Sequence, residues 1–260
     1  MKAINLIMTC VMLLFVSHSN GQEYEQFLSI EQVFKDTTFI GPPPAFGSLL
    51  FEHDCQMYYL GKTLRNTERG KQAVRDADCS TGNLCLVFSE AFGYRLSAQA
   101  TPEIYLLIAK MKEIAGSMAT KTSKTTYGRT RPYELFSEPR GSTGIPEDED
   151  ALRNNGSYVS GHSSIGVAVA MTLACINPTR QAELYQRGLS FGDSRWILSF
   201  HFYSDVKAGQ LVGALVLPAL LNNQAFVEQL ARAKEEFKKL SEMQDVTSYH
   251  QTRRLPRGVD

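Results

Sequence analysis

The chain has 260 residues, of which 43% are hydrophobic, and its 27 Lys plus Arg equal its 27 Asp plus Glu. Such a chain can bury a substantial core in one globular domain. Its balanced charge excludes the basic surface with which proteins displace counterions from a nucleic-acid backbone, so no nucleic-acid partner is expected.

At the N-terminus Lys2 precedes an apolar run from Ile4 to Val16, followed by the small residues Ser17, Ser19 and Gly21. The run is shorter than the ~20 residues a spanning helix needs, so residues 1–21 read as a secretory signal peptide cleaved after Gly21. The expected destination is the periplasm or the exterior, and Cys10 leaves with the leader. Cys55, Cys79, Cys85 and Cys175 remain, an even count for an oxidising compartment. Cys79 and Cys85 flank the turn-like Ser80-Thr81-Gly82-Asn83 and are close enough to form a disulfide, whereas Cys175 equally fits a buried free thiol. No Cys-x-x-Cys pair and no His-Glu-x-x-His is present, so no metal site is assigned.

Gly41-Pro42-Pro43-Pro44 predicts a stiff extended segment, after which helical periods dominate. Leu49, Leu50, Met57, Tyr58, Leu60 and Leu64 form one stripe, and Ile104, Leu107, Ile108, Met111 and Ile114 form another; both are expected in the core. Between Tyr127 and Tyr158, Gly, Pro, Ser and acidic residues predict a long surface loop, a candidate rim for a site, with Glu147-Asp148-Glu149-Asp150 as a solvated face. Ile165 to Ile176 reads as a helix buried on all sides and ended by Asn177-Pro178. An apolar stretch from Leu211 to Leu221 is broken by Pro218. The last helix, Ala225 to Leu240, is amphipathic with Glu228/Arg232 and Glu235/Lys239 pairs. Residues 241–260 are polar and read as a frayed tail. There is no repeat and no sustained strand alternation, so the expectation is an all-α, compact helical bundle in one domain over residues 22–240.

Three separated segments carry groups suited to an oxyanion. The first is Lys124 with Arg131-Pro132, two cations that open the Gly/Pro-rich loop. In the second, Ser160-Gly161-His162 precedes the buried helix, whose first amides and positive dipole end can receive an anion beside His162. The third is Ser194-Arg195, His201 and Asp205. If that stretch is helical, the His and Asp share one face, and the carboxylate can fix the imidazole tautomer and leave the other nitrogen as a lone pair. Each segment alone also fits an ordinary surface or capping role.

Together, Lys124-x6-Arg131-Pro132, Ser160-Gly161-His162 and Ser194-Arg195-x5-His201-x3-Asp205 resemble the three-part signature shared by type-2 phosphatidic-acid phosphatases, bacterial non-specific acid phosphatases and vanadium haloperoxidases. The class A bacterial non-specific acid phosphatases look most similar. The likeness runs from about Ile40 to Leu240 and includes Gly41 to Ala45, Leu64 to Gly70 and Asn155 to Tyr158. Two departures stand out: Val159 replaces the family's proline before Ser160, and Phe202-Tyr203 replaces the usual Trp-Gln after His201. They bear on substrate preference and rate rather than on reaction class.

The resemblance implies a fold of the acid phosphatase and haloperoxidase type and a metal-independent, cofactor-free hydrolysis of small phosphate monoesters of broad range. It implies attack on phosphorus by His201, orientation of that ring by Asp205 and protonation of the leaving alcohol by His162. Lys124, Arg131, Arg195 and the backbone amides at Ser160 and Gly161 would hold the phosphoryl oxygens. Glu113 matches an acidic position near the family's pocket and equally fits a solvated helix carboxylate. The opposed protonation states of the two histidines imply a bell-shaped rate profile. Phosphate or vanadate would be site ligands, and a homo-oligomer, dimeric or larger, is expected. The alternatives are a vanadium-dependent haloperoxidase and a non-catalytic phosphate-binding protein. An integral lipid phosphatase would need several apolar stretches of about 20 residues, which the mature chain lacks.

Overall fold

The computed structural model describes residue 36 and residues 39–252, with side chains to residue 243. The signal peptide assigned to residues 1–21 and the end of the tail, 253–260, lie outside the described residues.

Among the described residues every regular element is helical, as an all-α bundle requires. Short polar side chains set several starts. Ser48 accepts from the Phe51 amide to open α1 (Leu49–Leu64), and α2 (Glu68–Arg75) follows after Thr67. Ser80 opens α3 (Thr81–Phe92), which ends at the left-handed Gly93. Then comes α4 (Pro102–Glu113), continued by a π-helical turn over Ile114–Met118. Three short helices follow: α5 (Lys121–Tyr127), α6 (Pro132–Leu135) and α7 (Pro146–Leu152). The second half is long helices: α8 (Gly161–Ile176), α9 (Gln181–Ile197), α10 (Tyr203–Leu220) and α11 (Gln224–Thr252).

The bundle is organised around α8, which lies between α9 and α10 and is buried on nearly every side. Close approach makes this possible. A Cβ on Gly188 of α9 would meet the Gly166 carbonyl at 2.5 Å, and one on Gly209 of α10 would collide with the Ser160 carbonyl. Because α8 packs backbone against backbone on both flanks, its N-terminus is held rigidly relative to α9 and α10.

Of the two expected apolar stripes, the one on α4 is wholly buried. The stripe on α1 is not: Leu49, Leu50 and Leu60 are 82%, 68% and 48% exposed. Tyr58 of that stripe is buried and Met57 and Leu64 pack against a core cluster, but the packed face also takes in Asp54 and Gly61, where the bundle offers a polar site and the Trp196 carbonyl, which a Cβ on Gly61 would meet at 2.9 Å. The stretch from Tyr127 to Tyr158 is not plain loop either, since it contains α6 and α7. Glu149 from the acidic run is buried, accepting from the Gly141 and Thr143 amides and the Thr143 hydroxyl.

The last helix runs on to Thr252 rather than ending at Leu240. Its Arg232 pairs with Glu103 on α4, and its Glu236 accepts from the Glu103 and Ile104 amides that open α4. Cys79 and Cys85 are unbridged, as are Cys55 and Cys175. Cys79 lines the pocket described below and packs on the edge of the core cluster in which Cys85 of α3 is buried. No single helix among the described residues is long and apolar enough to cross a membrane.

Candidate active site

The three segments converge. Lys124, Arg131, Gly161, His162, Arg195 and His201 line one cavity of about 220 Å³ at the N-terminus of α8. The packing of α8 against α9 and α10 explains why residues so distant in the chain meet there.

Ser160 plays a different part from the one its sequence suggests. Its hydroxyl caps α8 by accepting from the Ser163 amide, and its own amide donates to the Asp205 carbonyl, 3.0 Å. Ser160 therefore frames the cavity and ties α8 to α10, leaving the cavity-facing donors to Gly161 and His162. Those two amides open the helix, where no intrahelical acceptor exists. Val159, in place of proline, is fully buried.

Arg195 and His201 sit on one tight turn after α9. The left-handed Ser199, φ 60°, reverses the chain so that the Phe200 and His201 amides both donate to the Arg195 carbonyl. Arg65 and Glu138 brace this turn from outside: Arg65 donates to Glu138, to the Ile197 carbonyl and to the Ser199 hydroxyl, which in turn donates to Glu138. Burial alone would raise the Glu138 carboxyl, but hydrogen bonds from Arg65 and Ser199 and the Arg65 charge hold it down to about 2.

His201 and Asp205 do not share a helical face. His201 precedes α10, and Asp205 lies in its first turn, where its Oδ2 accepts from the Phe202 amide at 2.8 Å. The ring Nδ1 is 3.8 Å from that carboxylate and 2.7 Å from the Ser157 carbonyl. A carbonyl only accepts, so Nδ1 carries the proton and Nε2 holds the lone pair. Ser157 bridges the two groups, its hydroxyl donating to Asp205 Oδ2 at 2.5 Å while lying 3.3 Å from Nδ1. The Nε2 lone pair faces Arg131 Nη1 at 3.2 Å.

His162 stacks on Phe191, and its Nε2 lies 2.9 Å from the Ala77 carbonyl, so Nε2 is the protonated nitrogen and Nδ1 is the basic one. Both rings are pushed well below the usual histidine range. Burial is the main cause for each, followed by Arg195 for His162 and by Arg131, Lys124 and Arg195 for His201.

The cations differ in how they are used. Arg131 is buried and spends its donors on the Leu152, Asn155 and Phe200 carbonyls as well as on His201. Lys124 donates to the Gly156 carbonyl at 2.9 Å. Burial, reinforced by Arg131 and Arg195, brings its ammonium down to about 7 although Asp205 opposes this. Arg195 is 0% exposed, yet none of its three guanidinium nitrogens has a hydrogen-bond partner. Its charge rests on the Phe200 ring at 4.1 Å and on Asp148 at 4.0 Å, and burial lowers it to about 10. A buried guanidinium with unsatisfied donors has the geometry to bind an oxyanion.

Several contributors carried no mark in the sequence. Ser157 was visible only as part of a longer stretch, and Arg129, two residues before Arg131, reaches Asp205 rather than the cavity. Lys112, not its neighbour Glu113, lines the cavity, and Glu113 is half exposed with Lys110 as its partner. Among the described residues no group of three or more His, Cys, Asp or Glu side chains is placed to hold a metal ion.

Residues 105–227 match the PAP2 superfamily. The chain is 42% identical over 214 residues to a non-specific acid phosphatase of Providencia stuartii, covering 82% of this chain and 85% of that one. It is 36% identical over 224 residues to the non-specific acid phosphatase of Salmonella typhimurium, covering 86% and 88%. An acid phosphatase of Zymomonas mobilis is 30% identical over 201 residues, covering 77% and 75%.

Proposed function

We infer that this chain, which belongs to the PAP2 superfamily and within it to the bacterial non-specific acid phosphatases, hydrolyses phosphate monoesters through a phosphohistidine on His201 without a metal. One observation carries the reading: the unsatisfied guanidinium of Arg195 shares a cavity with the Nε2 lone pair of His201.

Phosphoryl transfer needs positioning and compensation of charge on three equatorial oxygens. Lys124, Arg131, Arg195 and the first amides of α8 supply both, which supports independence from metal. The His201 Nε2 lone pair attacks phosphorus, and the bond to the leaving oxygen breaks. The departing alkoxide takes a proton from His162 Nδ1. His162, now neutral, then draws a proton from water, whose oxygen attacks phosphorus and breaks the N–P bond. His201 keeps its Nδ1 proton throughout, so the ring becomes cationic in the intermediate, where the nearby Asp205 charge favours it.

The depressed basicity of both rings fits work in acid. His201 stays an unprotonated nucleophile at low pH. His162 must gain a proton, and the negative charge of a bound phosphoryl group raises its basicity by offsetting Arg195. The rate is therefore bell-shaped on the acidic side, and a profile flat from pH 4 to 9 would contradict the assignment.

Brief exposure to labelled substrate followed by rapid quenching tests the intermediate. An acid-labile, base-stable label mapping to His201, lost in His201→Ala, is the expected result. Turnover of p-nitrophenyl phosphate should persist in EDTA, and vanadate-dependent halide oxidation should be absent.

Export to the periplasm or exterior is part of this proposal and rests on the leader-like residues 1–21. N-terminal sequencing of the exported protein should begin near residue 22. Assembly into a dimer or larger is supported by the exposed Phe46, Leu49 and Leu50, and sedimentation should show it.

A further inference from the structure

We propose that Arg129 is a positioning residue for His201, acting through Asp205 as the cation of a buried clamp that also contains Asp54. The proposal rests on His201 being the nucleophile.

Asp205 is 0% exposed and stands 3.8 Å from the ring it serves. A carboxylate buried that deeply needs strong partners. Its Oδ2 is satisfied by the Ser157 hydroxyl and the Phe202 amide, and its Oδ1 accepts from Arg129 Nη1 at 2.5 Å. Arg129 is therefore the partner that both neutralises and aims the carboxylate.

The guanidinium is itself fixed. Its side chain is 9% exposed, its Nη2 donates to Asp54 at 2.8 Å, and its carbon lies 4.0 Å from the centre of the Phe202 ring. Asp54, on α1, also accepts from the Ser204 amide and hydroxyl at the start of α10. The clamp thus joins α1, the segment before α6 and the N-terminus of α10, and it orients Ser157, whose carbonyl holds the Nδ1 proton of His201.

The charge balance adds a second role. Two buried carboxylates against one guanidinium leave a net charge of −1 beside His201, on the Nδ1 side of the ring, whereas Arg131 faces Nε2. That charge favours the cationic ring formed when Nε2 bonds to phosphorus. The titratable and charged groups facing Asp205 and its cation are Asp54, Cys55, His201, Tyr158, Lys124 and Arg131. Of these, only Asp54 touches Arg129.

Steady-state turnover of p-nitrophenyl phosphate from pH 4 to 8 tests the proposal with Arg129→Lys, Arg129→Met and the double variant Asp54→Asn/Arg129→Met. Arg129→Lys should fold and lose about 10-fold in kcat, and Arg129→Met about 100-fold, the range over which outer partners of an oriented histidine act. KM and inhibition by inorganic phosphate should stay within about twofold, since Arg129 does not reach the cavity. In Arg129→Met the two carboxylates lose their cation, the charge beside His201 becomes more negative and the ring is protonated more readily, so the acid limb should rise by about one pH unit. Asp54→Asn in that background should bring the limb back toward its wild-type position. A lost structural brace would lower activity at every pH without moving the limb.

A kcat unchanged in Arg129→Lys, or a limb that stays in place in a folded Arg129→Met, overturns the proposal. Should Arg129→Met fail to fold, Arg129→Lys decides: a lower kcat with wild-type melting temperature and KM supports the proposal, and a lower kcat that only follows lost stability overturns it. Labelling of wild-type protein, run alongside, separates the two readings. An unlabelled but active wild type removes the phosphohistidine, whereas a labelled wild type with an unmoved limb removes only the role of Arg129.

Discussion

Arg195→Met should make the protein more stable and nearly inactive. Met has a similar length and can stay against Phe200, but it carries no charge. The guanidinium is 0% exposed, with no hydrogen-bond partner and only Asp148 at 4.0 Å. Holding an ion in such a place costs several kcal/mol, of which the contact with Phe200 returns roughly 1–2 kcal/mol. The fall of its pKa to about 10 has the same sign and cause. Replacement should therefore stabilise the fold by about 1–3 kcal/mol, and a domain of this size gains roughly 2–4 °C in Tm per kcal/mol. In catalysis the same change removes two charge-assisted hydrogen bonds to phosphoryl oxygens at roughly 1.5–3 kcal/mol each. That predicts a loss of about 10²- to 10⁴-fold in kcat/KM. Calorimetric melting in phosphate-free buffer and initial rates on p-nitrophenyl phosphate give both numbers. A variant that melts below wild type while keeping more than a tenth of its activity would refute the reasoning, because Arg195 would then be a structural residue.

Three further outcomes follow from the geometry. Lys124 is cationic below about 7 and neutral above it, so beyond the limb set by His162 a further fall in kcat/KM should appear as pH rises through 7, and Lys124→Arg should carry that further limb to higher pH. An unmoved limb would assign it to another group. The Glu138 carboxyl, held down to about 2 in the fold, contributes stability that is present above the unfolded carboxyl value of roughly 4.3 and is lost as pH falls toward 2. Glu138→Gln should cost about 2–3 kcal/mol at pH 7 by urea denaturation, with the gap to wild type closing below about pH 4.5. Gly209→Ala forces a methyl against the Ser160 carbonyl, which should cost about 1–3 kcal/mol and lower kcat by displacing α10 with Asp205. Wild-type melting and turnover in that variant would mean that the close approach of α8 and α10 is not needed.

The helical class, the buried α8, the α4 stripe and the imidazole and cationic groups that line the cavity were legible in the sequence because they depend on local period or on a fixed spacing of unusual residues. The α1 stripe misled for a related reason. Periodicity reports that a helix has an apolar face, but not how much of it the bundle covers, and on α1 Met57, Tyr58 and Leu64 are packed while Leu49, Leu50 and Leu60 stay exposed. Likewise Glu149 looks like any member of an acidic run until the Thr143 turn folds over it.

The chain itself therefore determined which chemical groups are available and roughly where helices begin. Tertiary structure alone decided how those groups are connected. It put Ser157 between His201 and Asp205, spent the Ser160 amide on Asp205, satisfied Arg131 with carbonyls while leaving Arg195 bare, and set Arg129 behind the carboxylate. The physical reason is that a hydrogen bond between residues tens of positions apart depends on how helices pack, here on the backbone contacts of α8 with α9 and α10, and local sequence carries no record of that distance.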